Sequence, residues 1–226
     1  LSSVDEAVTE APTDERRAAL AEVFAHELGT AVAEQHLAPG RTLWLRVQTD
    51  AWLTAARVAR HKARCGFFDW LSAIDWMPSP YGRDMDSQVD LALAGSAGKE
   101  AEAMVTGVAG GETRFQVFTH LWSLERGVGV IIKADVPDDT LAVDSIIPAY
   151  AGASWHEREA WEMYGIDFIG HPDMRHLYLP SDFEGHPLRK DFPLLARRIK
   201  PWPGIVDVEG MPPGMGGDDE AGGDDV

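Results

Sequence analysis

The sequence predicts an α+β fold: a mixed, largely antiparallel sheet with flanking helices, plus an extended C-terminal segment. Three observations carry this. Leu43, Leu45 and Val47 alternate with Trp44, Arg46 and Gln48, the period of a strand with one face buried. The runs RFQVFTHLWSL and VGVIIKADV are rich in β-branched and aromatic residues and are separated by Glu125, Arg126 and Gly127, which predicts a hairpin. Helical patterns fall between these strands too irregularly for a doubly wound parallel sheet.

In chain order, residues 1–12 read as a disordered N-terminal tail. A helix follows with Thr13 as its N-cap, carrying Leu20, Val23, Phe24, Leu28, Ala31 and Val32 as one apolar stripe. Pro39 and Gly40 close that unit before the first strand. Asp50 is the expected N-cap of a second helix running to about Arg64, with Gly66 at its C-terminal cap. The run FFDWLSAIDWM is ambiguous and fits a short helical turn leading into a strand around Ala73 to Met77. Residues 78–112 lack a clear period and read as a long loop or insertion, a length that usually serves a function or a partner. After the hairpin, residues 145–153 are expected to be helical. The next helix opens on Ser154 and Glu157 as an S-x-x-E capping box and stops at Gly165. Residues 13–195 then form one domain and 196–226 an extended acidic tail, whose end, EGMPPGMGGDDEAGGDDV, is of low complexity and reads as disordered.

Composition narrows the functional classes. The net charge of −17 lacks the basic footprint of a nucleic-acid binder and opposes docking on anionic lipid. A single cysteine, Cys65, excludes an intrachain disulfide and a self-contained iron–sulfur cluster, which takes about four thiolates. No apolar run approaches the ~20 residues that span a bilayer. The N-terminus has no basic and apolar signal regions, so the reading is a soluble protein on the cytoplasmic side.

Charge and turn chemistry are densest in residues 154–193. Glu157, Arg158, Glu159 and Glu162 lie within two helical turns, interleaved with Trp155, Trp161 and Tyr164, and Arg158 and Glu162 are spaced to pair. Beyond the helix, Gly170-His171-Pro172 with Arg175 is echoed by Gly185-His186-Pro187 with Arg189. Glycine before an X-Pro step makes a stiff, sharp turn, so each unit presents an imidazole and a guanidinium. Such loops suit docking to carboxylates or carbonyls of another surface. His156, His171, His176 and His186 near Asp167, Asp173, Asp182 and Glu184 also offer zinc or iron donors, though without H-E-x-x-H spacing. No G-x-S-x-G, G-x-G-x-x-G or P-loop pattern is present.

The motif begins with Trp155, Glu157, Arg158, Glu159, Gly165, Ile166, Phe168, Gly170, His171, Pro172, Asp173 and Arg175. It resumes with Gly185, His186, Pro187, Leu188, Arg189, Lys190, Asp191, Phe192 and Pro193. The whole resembles the C-type, 30 kDa subunit of the proton-pumping NADH–quinone oxidoreductase, respiratory complex I. The resemblance extends back to about Thr42. It departs at Glu162, where the family usually carries Asp, and in the acidic tail and the 78–112 insertion.

The resemblance implies a non-catalytic structural and assembly subunit of the peripheral arm, in the quinone module. Such a chain packs against the large D-type subunit of complex I and neighbours the iron–sulfur subunits. It holds no cofactor itself, with FMN and the iron–sulfur clusters on partner subunits, and NADH and quinone are used by the holoenzyme only. It meets the membrane only through the complex, at the cytoplasmic side of the inner (plasma) membrane. The implied site is structural or interfacial: Trp155, Glu157, Arg158, Glu159, Gly165, His171, Pro172, Arg175, Gly185, His186, Pro187, Arg189, Lys190 and Asp191. The alternatives are the equivalent subunit of a membrane-bound nickel–iron hydrogenase or formate hydrogenlyase, and a stand-alone His/carboxylate metalloenzyme.

Overall fold

A computed structural model describes residues 15–78 and 103–192. The expected Thr13 cap, the 1–12 tail, most of the 78–112 insertion and everything from Pro193 onward lie outside these residues. The element order is α1 (Glu15–Leu28), β1 (Val32–His36), β2 (Leu43–Val47), α2 (Trp52–His61), β3 (Phe67–Asp75), β4 (Phe115–Ser123), β5 (Val128–Val136), β6 (Ala142–Asp144), α3 (Ala153–Tyr164) and β7 (Asp167–Ile169). Five strands form a sheet in the order β1-β2-β5-β4-β3, and β6 and β7 form a separate parallel pair. Only β2 and β5 run parallel in the larger sheet; the other three pairs are antiparallel. The α+β architecture with a largely antiparallel sheet is therefore as expected from the alternating strands and the hairpin. The hairpin closes at Gly127, whose φ of 62° suits a glycine and whose N–H bonds the Ser123 carbonyl at 2.8 Å.

The core lies between one face of the sheet and the helices. Leu20 and Phe24 of α1 and Trp52, Ala55 and Ala59 of α2 join Leu43, Leu45, Leu71, Val117, Leu121, Val130 and Ile132 in a single buried cluster. The alanine face of α2 lets that helix approach the strands closely.

Several boundaries differ from the sequence reading, each for a local reason. Gly29, at φ 54°, ends α1 after Leu28, so Ala31 and Val32 leave the helix and Val32 opens β1. That strand is an exposed sheet edge with the polar sequence VAEQH, and so lacks the apolar alternation of a half-buried strand. Asp50 sits inside a single 3-10 turn, Thr49–Ala51, and α2 starts behind it with no side-chain cap. The left-handed residue beyond α2 is Arg64, at φ 61°, rather than Gly66. The ambiguous aromatic run is one strand, β3, with Leu71, Ala73 and Asp75 facing inward. Residues 145–153 form consecutive turns instead of a helix, in which the Ile146 carbonyl accepts from both Ala149 and Tyr150. Pro148 within them has no N–H to continue a helical ladder.

Residues 103–112 lie over one end of the sheet's other face and are tied there by polar groups. Lys133, 1% exposed, donates to the Gly110 carbonyl and to Gln116 Oε1. Gln116 Nε2 donates to Asp135 at 2.6 Å and to the Gly110 carbonyl at 3.1 Å. Arg46 bonds Asp135 at 2.8 Å and the Ala109 carbonyl at 3.0 Å. Burial pushes the Lys133 ammonium down to about 8, with Asp135 opposing and Arg46 assisting. No helix among the described residues is long and apolar enough to cross a membrane.

Leu121 is fully buried at the centre of the core. Leu121→Ala should destabilise the chain by about 2–5 kcal/mol, read as a lowered urea midpoint at unchanged slope.

Candidate functional site: the α3 clamp

A helix of twelve residues ends in four carbonyls with no partner inside the helix. In α3 each of the four is satisfied, three of them by the second Gly-His-Pro loop or its neighbours. Gly165 N–H reaches the Trp161 carbonyl at 2.8 Å. His186 Nδ1 donates to the Glu162 carbonyl at 2.8 Å, Leu188 N–H to Met163 at 3.2 Å, and Arg189 Nε to Tyr164 at 2.6 Å. Arg189 and His186 press so close that a Cβ on Gly165 would lie 2.5 Å from both side chains. Gly165 is also left-handed at φ 72°, so its glycine is required twice over.

The first Gly-His-Pro loop holds the other end of the same helix. His171 Nδ1 accepts from the Asp173 N–H at 3.1 Å. In the neutral ring that leaves Nε2 as the donor, 3.2 Å from both the Ser154 hydroxyl and the Ser154 carbonyl. The two units thus brace α3 from opposite ends. Their imidazoles and Arg189, expected to reach toward another surface, are engaged inside the chain. Arg175 differs: it is exposed, and among the described residues it pairs with the exposed Asp173 at 3.0 Å.

Between these ends, Arg158 and Glu162 do not pair with each other. They grip one loop by its opposite poles. Arg158 donates to the carbonyls of Arg175 at 2.8 Å and His176 at 3.0 Å. Glu162, 2% exposed, accepts from the N–H groups of Leu177 at 3.0 Å, Tyr178 at 3.1 Å and Leu179 at 2.6 Å, with His176 Nδ1 also at 3.0 Å. Burial raises the Glu162 carboxyl, yet the three amides and His176 outweigh it and hold the group below its ordinary value.

The capping box does not form. The first N–H groups of α3 are taken by the preceding turns, through Ala153 to Tyr150 at 3.0 Å and Ser154 to Ala151 at 3.3 Å. Glu157 is released inward, fully buried, where Ser145 Oγ and the Ile146 N–H each donate to it at 2.7 Å. Burial pushes its carboxyl up to about 7, against the pull of those two donors.

Sequence reading missed the anchor that ties this assembly to the sheet. Asp75 accepts two bonds from Arg114, at 2.9 and 2.7 Å, and further bonds from the N–H groups of Met77 at 3.0 Å and Lys190 at 2.8 Å. Asp191 closes on Arg114 at 3.0 Å. The signal was present: Asp75 occupies an inward position of the Leu71–Ala73 alternation, and a carboxylate there requires a partner. Of the other site residues, Trp155 is 65% exposed beneath the Arg158 guanidinium, 5.3 Å from its ring centre. Glu159 and Pro187 are half-buried, Pro172 and Lys190 exposed, and Gly185 turns at φ 95° against the Phe192 ring. His171 and His186 lie at opposite ends of α3, and no group of three or more His, Cys, Asp or Glu among the described residues could hold a metal ion.

A family model described as the respiratory-chain NADH dehydrogenase 30 kDa subunit matches residues 45–198, which includes all of this clamp. The chain belongs to that family. It is 47% identical over 88 residues to the C/D subunit of the NADH-quinone oxidoreductase of Pseudomonas fluorescens, and 43% identical over the same length to that of Photorhabdus laumondii. Each match takes in 39% of this chain and only 15% of the relative's own length. Among solved structures, a chain of the membrane-bound sulfane sulfur reductase, an archaeal respiratory membrane complex, shares the fold. It has a TM-score of 0.55 and 20% identity, over 81% of this chain and 88% of that one.

Gly165→Ala combines left-handed strain with displacement of both caps, and should destabilise by about 2–4 kcal/mol in denaturant unfolding. The Glu157 carboxyl titrates near 7 folded and near its ordinary 4.5 unfolded. Its contribution is therefore complete below the unfolded value and lost as pH rises toward 7, on the order of 3 kcal/mol. Asp75 and Glu162, both held low, act oppositely and lose their contributions as pH falls through their folded values. Urea midpoints should accordingly decline between about pH 5 and 7.5, and Glu157→Gln should flatten that decline.

Proposed function

We propose that this chain is the non-catalytic structural and assembly subunit of the peripheral arm of a proton-translocating NADH–quinone oxidoreductase. In this reading it packs in the quinone module against a D-type subunit, with FMN and the iron–sulfur clusters carried by its neighbours. It meets the membrane peripherally, at the cytoplasmic side, through the complex. The observation that carries the reading is the use made of the motif side chains. Glu157, Arg158, Glu162, His171, His186 and Arg189 are engaged with backbone groups and hydroxyls of their own chain. Side chains committed in this way hold loops rather than transform a substrate. The names of the relatives, which couple the C and D types in one subunit, support a D-type partner.

A related reading is favoured by the shared fold of the sulfane sulfur reductase chain: the same scaffold role in another respiratory membrane complex. Mass spectrometry of the native assembly captured through this chain separates the two. An NADH-binding flavin subunit among the partners supports the NADH–quinone reading. A nickel–iron large subunit in its place overturns it.

Arg189→Ala uncaps the Tyr164 carbonyl and loosens the 185–192 loop. It should lower the recovered complex several-fold, with NADH–quinone activity falling in proportion and turnover per assembled complex unchanged. Normal complex levels with abolished electron transfer would contradict a scaffold role.

A further inference from the structure

The larger sheet has a second face that no helix covers among the described residues. Strand residues alternate between faces. Those on the helix side enter the buried core, whereas Trp44, Trp70, Phe118, His120, Trp122 and Ile131 lie on the opposite side and have no place in that cluster. Strand register aligns four of them into one row: Trp44 opposes Ile131, Ile131 opposes His120, and His120 opposes Trp70. Phe118 and Trp122 flank the row on β4.

The rings are fixed in place. Trp70 meets Phe118 edge-on at 5.5 Å, and His120 lies 6.0 Å from both Trp70 and Trp122. A bulge in β3 sets Asp69 where it bonds His120 Nδ1 at 2.8 Å. Gly129 leaves the Trp122 and His120 rings room to lie flat, since a Cβ there would strike both. An aromatic surface held this rigidly loses little side-chain freedom on docking.

Charge identifies the occupant. The cations on this face, Arg46 and Lys133, are already bonded to Asp135, Glu112, Gln116 and the 103–112 backbone. Among the described residues four carboxylates stand against these two cations: Asp135, Glu34 and Glu112, which pair with Arg46, and Asp69, which bonds His120. The Glu34, Asp69 and Glu112 side chains stay 50%, 43% and 79% exposed, so the margin is net acidic. A second copy of this chain would bring the same acidic rim and a net charge of −17, and would be repelled. We propose that this aromatic face docks an amphipathic segment of another subunit of the assembly, with an apolar row flanked by Lys or Arg. Trp-rich, pre-ordered patches of this kind supply the dominant contacts of protein interfaces. The inference rests on the reading of the chain as one subunit of a larger complex.

The test replaces Phe118 or, separately, Trp122 with the photo-crosslinker p-benzoylphenylalanine in the full chain, and irradiates the assembled complex. The exposed hairpin position Glu125 serves as control. At least about ten-fold more product than the control is expected at both positions, mapping to one partner segment with apolar residues and flanking Lys or Arg. Cross-links into residues 79–102 or 193–226 of the same chain, into a second copy, or at control level overturn the docking proposal. Co-purification before irradiation is read independently. If no other subunit accompanies the chain, the scaffold reading falls as well; if partners are present and the face stays unlinked, only this inference falls.

Discussion

The carbonyl end of α3 is the constraint on which the rest of the clamp depends. A helix that stops inside a folded chain leaves acceptors that water cannot freely reach, and leaving them unpaired costs about 1–3 kcal/mol each. The 185–192 loop meets that demand with an imidazole, a guanidinium and a backbone N–H, which fixes its path across the helix end. Once the path is fixed, the Lys190 N–H and the Asp191 carboxylate fall beside Asp75 and Arg114 at the end of β3. Helix, loop and sheet are thereby joined by polar bonds to backbone atoms. The closeness of the fit leaves no space at Gly165 for any side chain.

The same logic runs along the middle of the helix. Residues 170–192 contain little regular structure and contribute few residues to the core, so their backbone polar groups need partners from elsewhere. Arg158 takes two of the carbonyls and Glu162 takes three of the N–H groups. A loop ordered by hydrogen bonds need not bury its apolar side chains. Tyr178, Phe183 and Leu188 remain 65%, 38% and 49% exposed. The hydrogen bonds to Arg158 and Glu162, not burial of these side chains, therefore hold the loop's path.

The strands that bury one face were legible in the sequence because burial writes a period of two: Leu43, Leu45, Val47 and both arms of the hairpin are examples. Elements that bury little left no such period. The polar edge strand β1 and the three-residue β6–β7 pair were invisible for that reason. The turns at 145–153 are apolar and compact, so composition alone matched them to a helix. In the motif, the chemistry of each group was legible but its partner was not. An imidazole on a stiff loop can serve a helix end or another protein equally well, and only the tertiary path decides which. The Arg158–Glu162 spacing likewise permitted a pair until a loop offered each a stronger set of bonds.

The geometry therefore separates two kinds of residue that the motif presents together. Glu157, Arg158, Glu162, His171, His186 and Arg189 make their bonds within the chain, so changes there act on folding before any partner is met. Trp155, Arg175 and Lys190 are exposed, and among the described residues Trp155 meets only the Arg158 guanidinium and Arg175 the exposed Asp173. The acidic, aromatic second face of the sheet is a distinct surface from this one, since its residues point away from the core that α3 helps to close. A scaffold with surfaces of unlike chemistry can contact different neighbours at once, provided that each surface is rigid before contact. Backbone-directed bonds supply that rigidity on the clamp, and interlocked rings supply it on the sheet.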